Sequence, residues 1–149
     1  MVNNVGRQAP VGNLWRPEQM QLLSALLTSK RVLVLKPRQI GATTLACAYI
    51  AWLILTAPRA VSALSVGHDG GAQFRTNQMV RTFLNLLPGT LKPKFRIDNQ
   101  KAIQLNHNDA QHRALVAGGR GQGKSFSYHF IHFTEAGMYP RGISSGRGR

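Results

Sequence analysis

The spacing of apolar residues changes several times along the chain, and each change predicts an element. After Pro17, apolar side chains fall at Met20, Leu22, Leu23, Leu26 and Leu27, the pattern of an amphipathic helix with proline at its start. Arg31–Leu55, RVLVLKPRQIGATTLACAYIAWLIL, then runs from an apolar β-type segment (VLVL) through a short loop into an apolar stretch of helical length beginning near Thr43. Pro58 stops that helix, and VSALSV predicts a second buried strand closing in the turn GHDGG. From Ala72 to Leu87, Phe74, Met79, Val80, Phe83, Leu84 and Leu87 recur at helical spacing, leaving Arg75 and Arg81 to face solvent, and Pro88-Gly89 closes the helix. FRI, AIQL and RALVA, separated by DNQK and NHNDAQH, predict a meander, and Ser127–Phe133 reads as a last strand.

Helices alternating with apolar strands argue for an α/β fold with parallel central strands. Within 149 residues, 43% of them hydrophobic, there is material for one core. Residues 1–13 are polar and contain Gly and Pro, which predicts a flexible lead-in, and residues 141–149 form a Gly/Ser/Arg tail. Residues 14–140 are therefore expected to hold the folded domain, incomplete at its carboxyl end.

Charge narrows the partners. Nineteen Lys and Arg against five acids give +14, which suits a polyanion, with nucleic acid first. The acids are Glu18, Asp69, Asp98, Asp109 and Glu135; most sit among turn-like residues, so no carboxylate cluster of the kind a two-metal nuclease needs is expected. A lone Cys47 excludes an intramolecular disulfide and fits a reducing compartment. His129 and His132, three apart on a strand, point to opposite faces and suit core or surface roles better than chelation. The uncharged run from Thr44 to Ala57 is shorter than the roughly 20 residues of a membrane span, so no membrane association is expected.

Two segments have the look of a phosphate-binding loop. Gly118–Ser125, GGRGQGKS, matches G-x-x-x-x-G-K-[ST] letter for letter, but the aromatic, β-branched run after it predicts a strand where anion binding requires a helix. Lys36-Pro37-Arg38-Gln39-Ile40-Gly41-Ala42-Thr43-Thr44 matches less well, with Ala42 where the pattern has Lys, yet it lies between a strand-like run and a helix. There the backbone of Gln39 to Thr43 can cradle phosphate, Thr43 with Thr44 beside it can offer Mg²⁺ a hydroxyl, and Lys36 or Arg38 must supply the positive charge. Glu135 follows an apolar strand at the edge where parallel sheets bind ligands, and can polarise a water molecule; Thr134 stands where an Asp commonly assists the metal.

Taken together these residues resemble the ATPase half of the large terminase subunit, the DNA-packaging motor of tailed bacteriophages. Lys36–Thr44 is similar to that family's ATP-binding loop, Lys-x-Arg-Gln-hydrophobic-Gly-x-[Ser/Thr]-Thr. Pro17–Leu23 resembles the segment whose Gln contacts adenine, which implies that role for Gln19, and Arg120-Gly121, a strand and His132–Glu135 resemble the run that ends in the catalytic carboxylate. The resemblance covers Leu14 to Tyr139. It implies a P-loop NTPase fold of the RecA-like kind, a three-layer sandwich on a mainly parallel sheet, with ATP and Mg²⁺ as cofactors, Arg38 as a phosphate-facing catalytic arginine and Glu135 as catalytic carboxylate. Implied partners are double-stranded DNA, a portal protein, a small terminase subunit and further copies in a ring, in the cytoplasm of the host cell. The chain departs from the family at Ala42 and Thr134, and the nuclease half is expected to be absent, which makes a catalytically weak remnant the rival expectation; a helicase fragment is a third, against which Arg38-Gln39 and the missing Asp before Glu135 count.

Overall fold

The computed structural model describes residues 16–35, 40–118 and 127–139. They divide into two compact units, Met1–Leu45 and Ala46–Arg149, with the boundary inside one helix. The predicted lead-in at 1–13 and tail at 141–149 lie outside the described residues.

In the first unit, α1 spans Pro17–Thr28. Pro17 fits the first helical position because its missing N–H would have no partner there, and the Gln19 side chain turns back so that its Oε1 accepts the Arg16 N–H at 3.1 Å. The expected strand at Val32–Leu35 does not form. Leu33 and Leu35 are 88% and 91% exposed, and the segment pairs with no strand of the described residues. β propensity favours a strand only where neighbouring chains take up its N–H and C=O groups.

Helix α2, Ala42–Thr56, begins in the first unit and continues into the second. Its sequence is apolar nearly all round, so periodicity does not reveal its inner face. Packing selects Cys47, Ile50, Ala51 and Ile54, at i, i+3, i+4 and i+7, while Trp52 remains half exposed. Burial in this apolar surrounding pushes the Cys47 thiol up to about 12, the state of an inert core cysteine.

The rest of the second unit comprises β1 (Ser62–Gly67), α3 (Gly70–Asn85), β2 (Phe95–Asp98), β3 (Ala102–Leu105), β4 (Gln111–Val116), β5 (Phe130–Phe133) and a 3₁₀ turn at Ala136–Met138. The five strands form one mixed sheet in the order β2-β3-β4-β1-β5. β1 pairs in parallel with β4 (Ser62 opposite Gln111) and β5 (Ala63 opposite Phe130), while β2, β3 and β4 form the expected antiparallel meander. Only half of the pairing is therefore parallel. Ala63, Ile103 and Leu105 from the strands join the α2 stripe and Val80 and Leu84 of α3 in one core.

Polar side chains clamp this core at its turns. Asn108 Nδ2 donates to the Ile54 and Ala57 carbonyls at 2.8 and 2.9 Å, satisfying acceptors that the end of α2 leaves open. Arg81, expected to face solvent, instead binds Asp98 at 2.6 Å and the Asn99 carbonyl at 2.8 Å, fastening α3 to the β2–β3 turn. Phe74, expected on the buried side of α3, is exposed, and Thr76 and Asn77 occupy the inner face with Ala72 and Val80.

Candidate functional site

Of the residues expected to cradle phosphate, Ile40 to Thr44 are described. Gly41 adopts φ +76 and its carbonyl accepts the Leu45 N–H at 2.9 Å, the first hydrogen bond of α2. The N–H groups of Ala42, Thr43 and Thr44 therefore have no partner within the helix, and the positive end of its dipole lies among them. Gln19, assigned on a segment twenty residues upstream, is brought to this turn: its Nε2 donates to the Ile40 carbonyl at 3.1 Å. A Cβ at Gly41 would stand 2.6 Å from that same Nε2, which the flexible Gln19 side chain could relieve by moving, so it is the positive φ that favours glycine here. Thr43 is half-buried, Thr44 is exposed, and Ala42 is only 7% exposed. Lys36, Arg38 and Gln39 lie outside the described residues. The rival loop, GGRGQGKS, lies mostly outside them too, but residues 127–129 lead into strand β5 and no helix follows.

In the second unit a polar cluster forms where the parallel strands β1 and β5 end. Gly67 closes β1; a Cβ there would meet Ala72 Cβ at 2.8 Å and the Gln73 N at 2.9 Å, so the strand can turn into α3 only with glycine at that point. Asp69 caps α3, its Oδ1 accepting the Ala72 N–H at 2.6 Å. That bond is the main reason its carboxyl lies below the usual carboxylate range, with His68 and Arg75 contributing in the same direction.

Glu135 stands beside this turn. The Thr134 N–H donates to the Val66 carbonyl at 3.0 Å, and the Tyr139 hydroxyl donates to the same oxygen at 2.6 Å, tying the segment after β5 to the end of β1. Partial burial raises the Tyr139 hydroxyl above its ordinary value, which keeps it protonated as a donor. Thr134 is buried, and Glu135 is in the left-handed region with φ 54. His68 bridges two carboxylates: its Nε2 lies 3.1 Å from Asp69 Oδ2 and its Nδ1 2.8 Å from Glu135 Oε2. The second approach has the distance of an ion pair but not the direction of a hydrogen bond. The sequence reading missed His68. Its signal was the turn GHDGG, which delivers a histidine to the carboxyl end of a parallel strand.

A second constellation, Ser65–His112–Asn77, has the residue types of a hydrolytic triad. His112 Nδ1 lies 3.1 Å from Asn77 Oδ1 and Nε2 3.0 Å from Ser65 Oγ. Because Asn77 Nδ2 donates to the Asn99 carbonyl at 2.8 Å, its Oδ1 is left to accept the Nδ1–H, and Nε2 accepts the serine proton. Burial, and secondarily His132, push His112 down to about 3, so the ring is neutral. All three side chains are fully buried, beyond the reach of any substrate. They act as a polar tie between β1, β4 and α3.

Among the described residues no group of three His, Cys, Asp or Glu side chains is placed to hold a metal ion, and no helix is long and apolar enough to cross a membrane. Compared with models of known families and with curated proteins, the chain gives no match.

Proposed function

We propose that this chain is an ATP-hydrolysing motor domain of the terminase large-subunit kind, which drives double-stranded DNA into a procapsid, and that its fold is the three-layer P-loop arrangement. The observation that carries this reading is the Gln19 amide bonded to Ile40 beside Gly41. Two segments assigned separately, one to adenine and one to phosphate, meet in one turn.

The residues suit Mg-ATP. Gly41 makes the left-handed turn into α2, and the first N–H groups of that helix lack helical partners, which favours an anion. In this reading Gln39, Ile40, Gly41 and Ala42 line the phosphates, Lys36 and Arg38 bring positive charge, Thr43 and Thr44 offer hydroxyls to Mg²⁺, and Thr134 assists. Bound Mg-ATP supplies the phosphoryl group and the charge that neutralises it. Glu135 orients the attacking water and accepts its proton. The portal protein, the small subunit and further copies in a ring belong to the same proposal.

Phosphate release, measured with and without duplex DNA, and equilibrium binding of Mg-ATP test it. Glu135→Gln is expected to bind ATP like the wild type while losing roughly a hundredfold or more in turnover, and Arg38→Ala to lose a comparable factor. Failure of both the wild type and Ala42→Lys to bind Mg-ATP overturns the proposal. A second reading, a domain that binds nucleotide or DNA without turnover, is favoured by Ala42, which stands in the usual lysine position and offers no cation. Binding without phosphate release is its signature.

A further inference from the structure

We propose that His68 is the positioning residue for Glu135: set between Asp69 and Glu135, its ring holds the Glu135 carboxylate where it can take a proton from the attacking water. The inference rests on the reading of Glu135 as the water-activating group.

The chain of contacts begins on fixed backbone. Asp69 cannot swing freely, because its Oδ1 is occupied by the Ala72 N–H at 2.6 Å in the cap of α3. That leaves Oδ2 toward the ring, 3.1 Å from His68 Nε2. The ring, largely buried, then presents Nδ1 to Glu135 Oε2 at 2.8 Å. With one ring nitrogen against each carboxylate, 3.1 Å from Asp69 and 2.8 Å from Glu135, contact at both ends restricts rotation more than either contact alone.

The other end is equally constrained. Glu135 follows a residue whose N–H is bonded to Val66, and its own carbonyl accepts the Met138 N–H at 2.8 Å. With the main chain held in the left-handed region, the freedom left to Glu135 is that of its side-chain torsions, and His68 is the group that limits them. Arg75, on the first turns of α3, adds positive charge near Asp69. A left-handed glutamate is an uncommon conformation that persists only where its surroundings impose it. Here the surroundings are the ends of β1 and β5 together with this ring.

The test uses the full chain in two arms. In the first, steady-state phosphate release is compared for wild type, His68→Ala and His68→Gln. His68→Ala is expected to lower kcat about tenfold with KM for ATP unchanged, and His68→Gln, whose amide is polar and long enough to meet the same carboxylate, to recover most of the loss. In the second, ring ¹⁵N spectra of the nucleotide-free protein are compared with those of Glu135→Gln, and the His68 resonances are expected to move. Unmoved resonances overturn the proposal, as does an active wild type whose kcat is unchanged or raised by His68→Ala, or whose loss lies in KM. A wild type that neither binds nor hydrolyses ATP defeats the proposed function instead, and the ring spectra still decide whether His68 holds Glu135.

Discussion

Gly41 and Glu135 share a left-handed backbone, with φ +76 and +54, but only one of them adopts it without strain. For glycine the region is open; for a residue with a Cβ it costs about 1–2 kcal/mol. Substitutions at the two positions should therefore shift stability in opposite directions. Gly41→Ala is expected to lose about 1–2 kcal/mol, and adding Gln19→Ala should return only the part due to the 2.6 Å clash with Nε2. Glu135→Gly is expected to gain up to about 1 kcal/mol, reduced by loss of the His68 contact. Urea unfolding of the variants checks both signs, and a neutral Gly41→Ala would remove the case for a strained turn. At this scale the sequence was informative in one respect. A glycine flanked by Ile40 and Ala42 was visible, but the conformation of Glu135 depends on Val66, Met138 and Tyr139, which no local spacing brings together.

Among elements, β1, β4 and α3 are joined by a tie that senses acid. His112 takes up its proton at about 3 in the folded chain, against an ordinary value of 6.5. The unfolded chain therefore binds more protons between those values, and stability falls as pH drops below about 6.5, by roughly 1 kcal/mol per pH unit, levelling off near pH 3. Between pH 6.5 and 5 most carboxylates are still ionised, so the loss there is the one that His112 predicts. Subtracting the urea-unfolding profile of His112→Asn from that of the wild type isolates it. Equal slopes would mean that the buried ring is already charged or that water reaches it. The groups facing this ring are Ser65, Asn77 and His132.

Apart from VLVL, the elements from Pro17 through the meander lie close to where the apolar periods put them. Partners did not. VLVL at 32–35 has strand-forming residues but forms no strand, and the inner face of α2 could not be chosen within a helix apolar on every side. The NHND turn read as a polar connection, whereas Asn108 caps the end of α2 from fifty residues away in sequence.

For the whole molecule the charge of +14 sets the expected behaviour with nucleic acid. Arg81 and Arg96 are engaged by Asp98 and Asp109, while Arg59, Lys92, Lys94 and Lys101 are exposed. Duplex DNA binding is expected to weaken steeply with salt, by roughly a thousandfold or more between about 50 and 200 mM for six or more phosphate contacts. A binding isotherm flat in salt would assign the positive surface to another partner. The α/β class was legible because apolar strands and helices alternate. The degree of parallel pairing was not, since β4 belongs to the antiparallel meander by sequence and to the parallel half by its bonds to β1.

That strand order also imposes a sequence in time. β2, β3 and β4 are neighbours along the chain and can zip up by closing short loops, whereas Ala63 must wait for Phe130. During synthesis the antiparallel half can assemble while the ribosome is still reading toward residue 130. Glu135 and the bonds that hold it come last among the described elements, so a nascent chain acquires its core before it acquires this carboxylate.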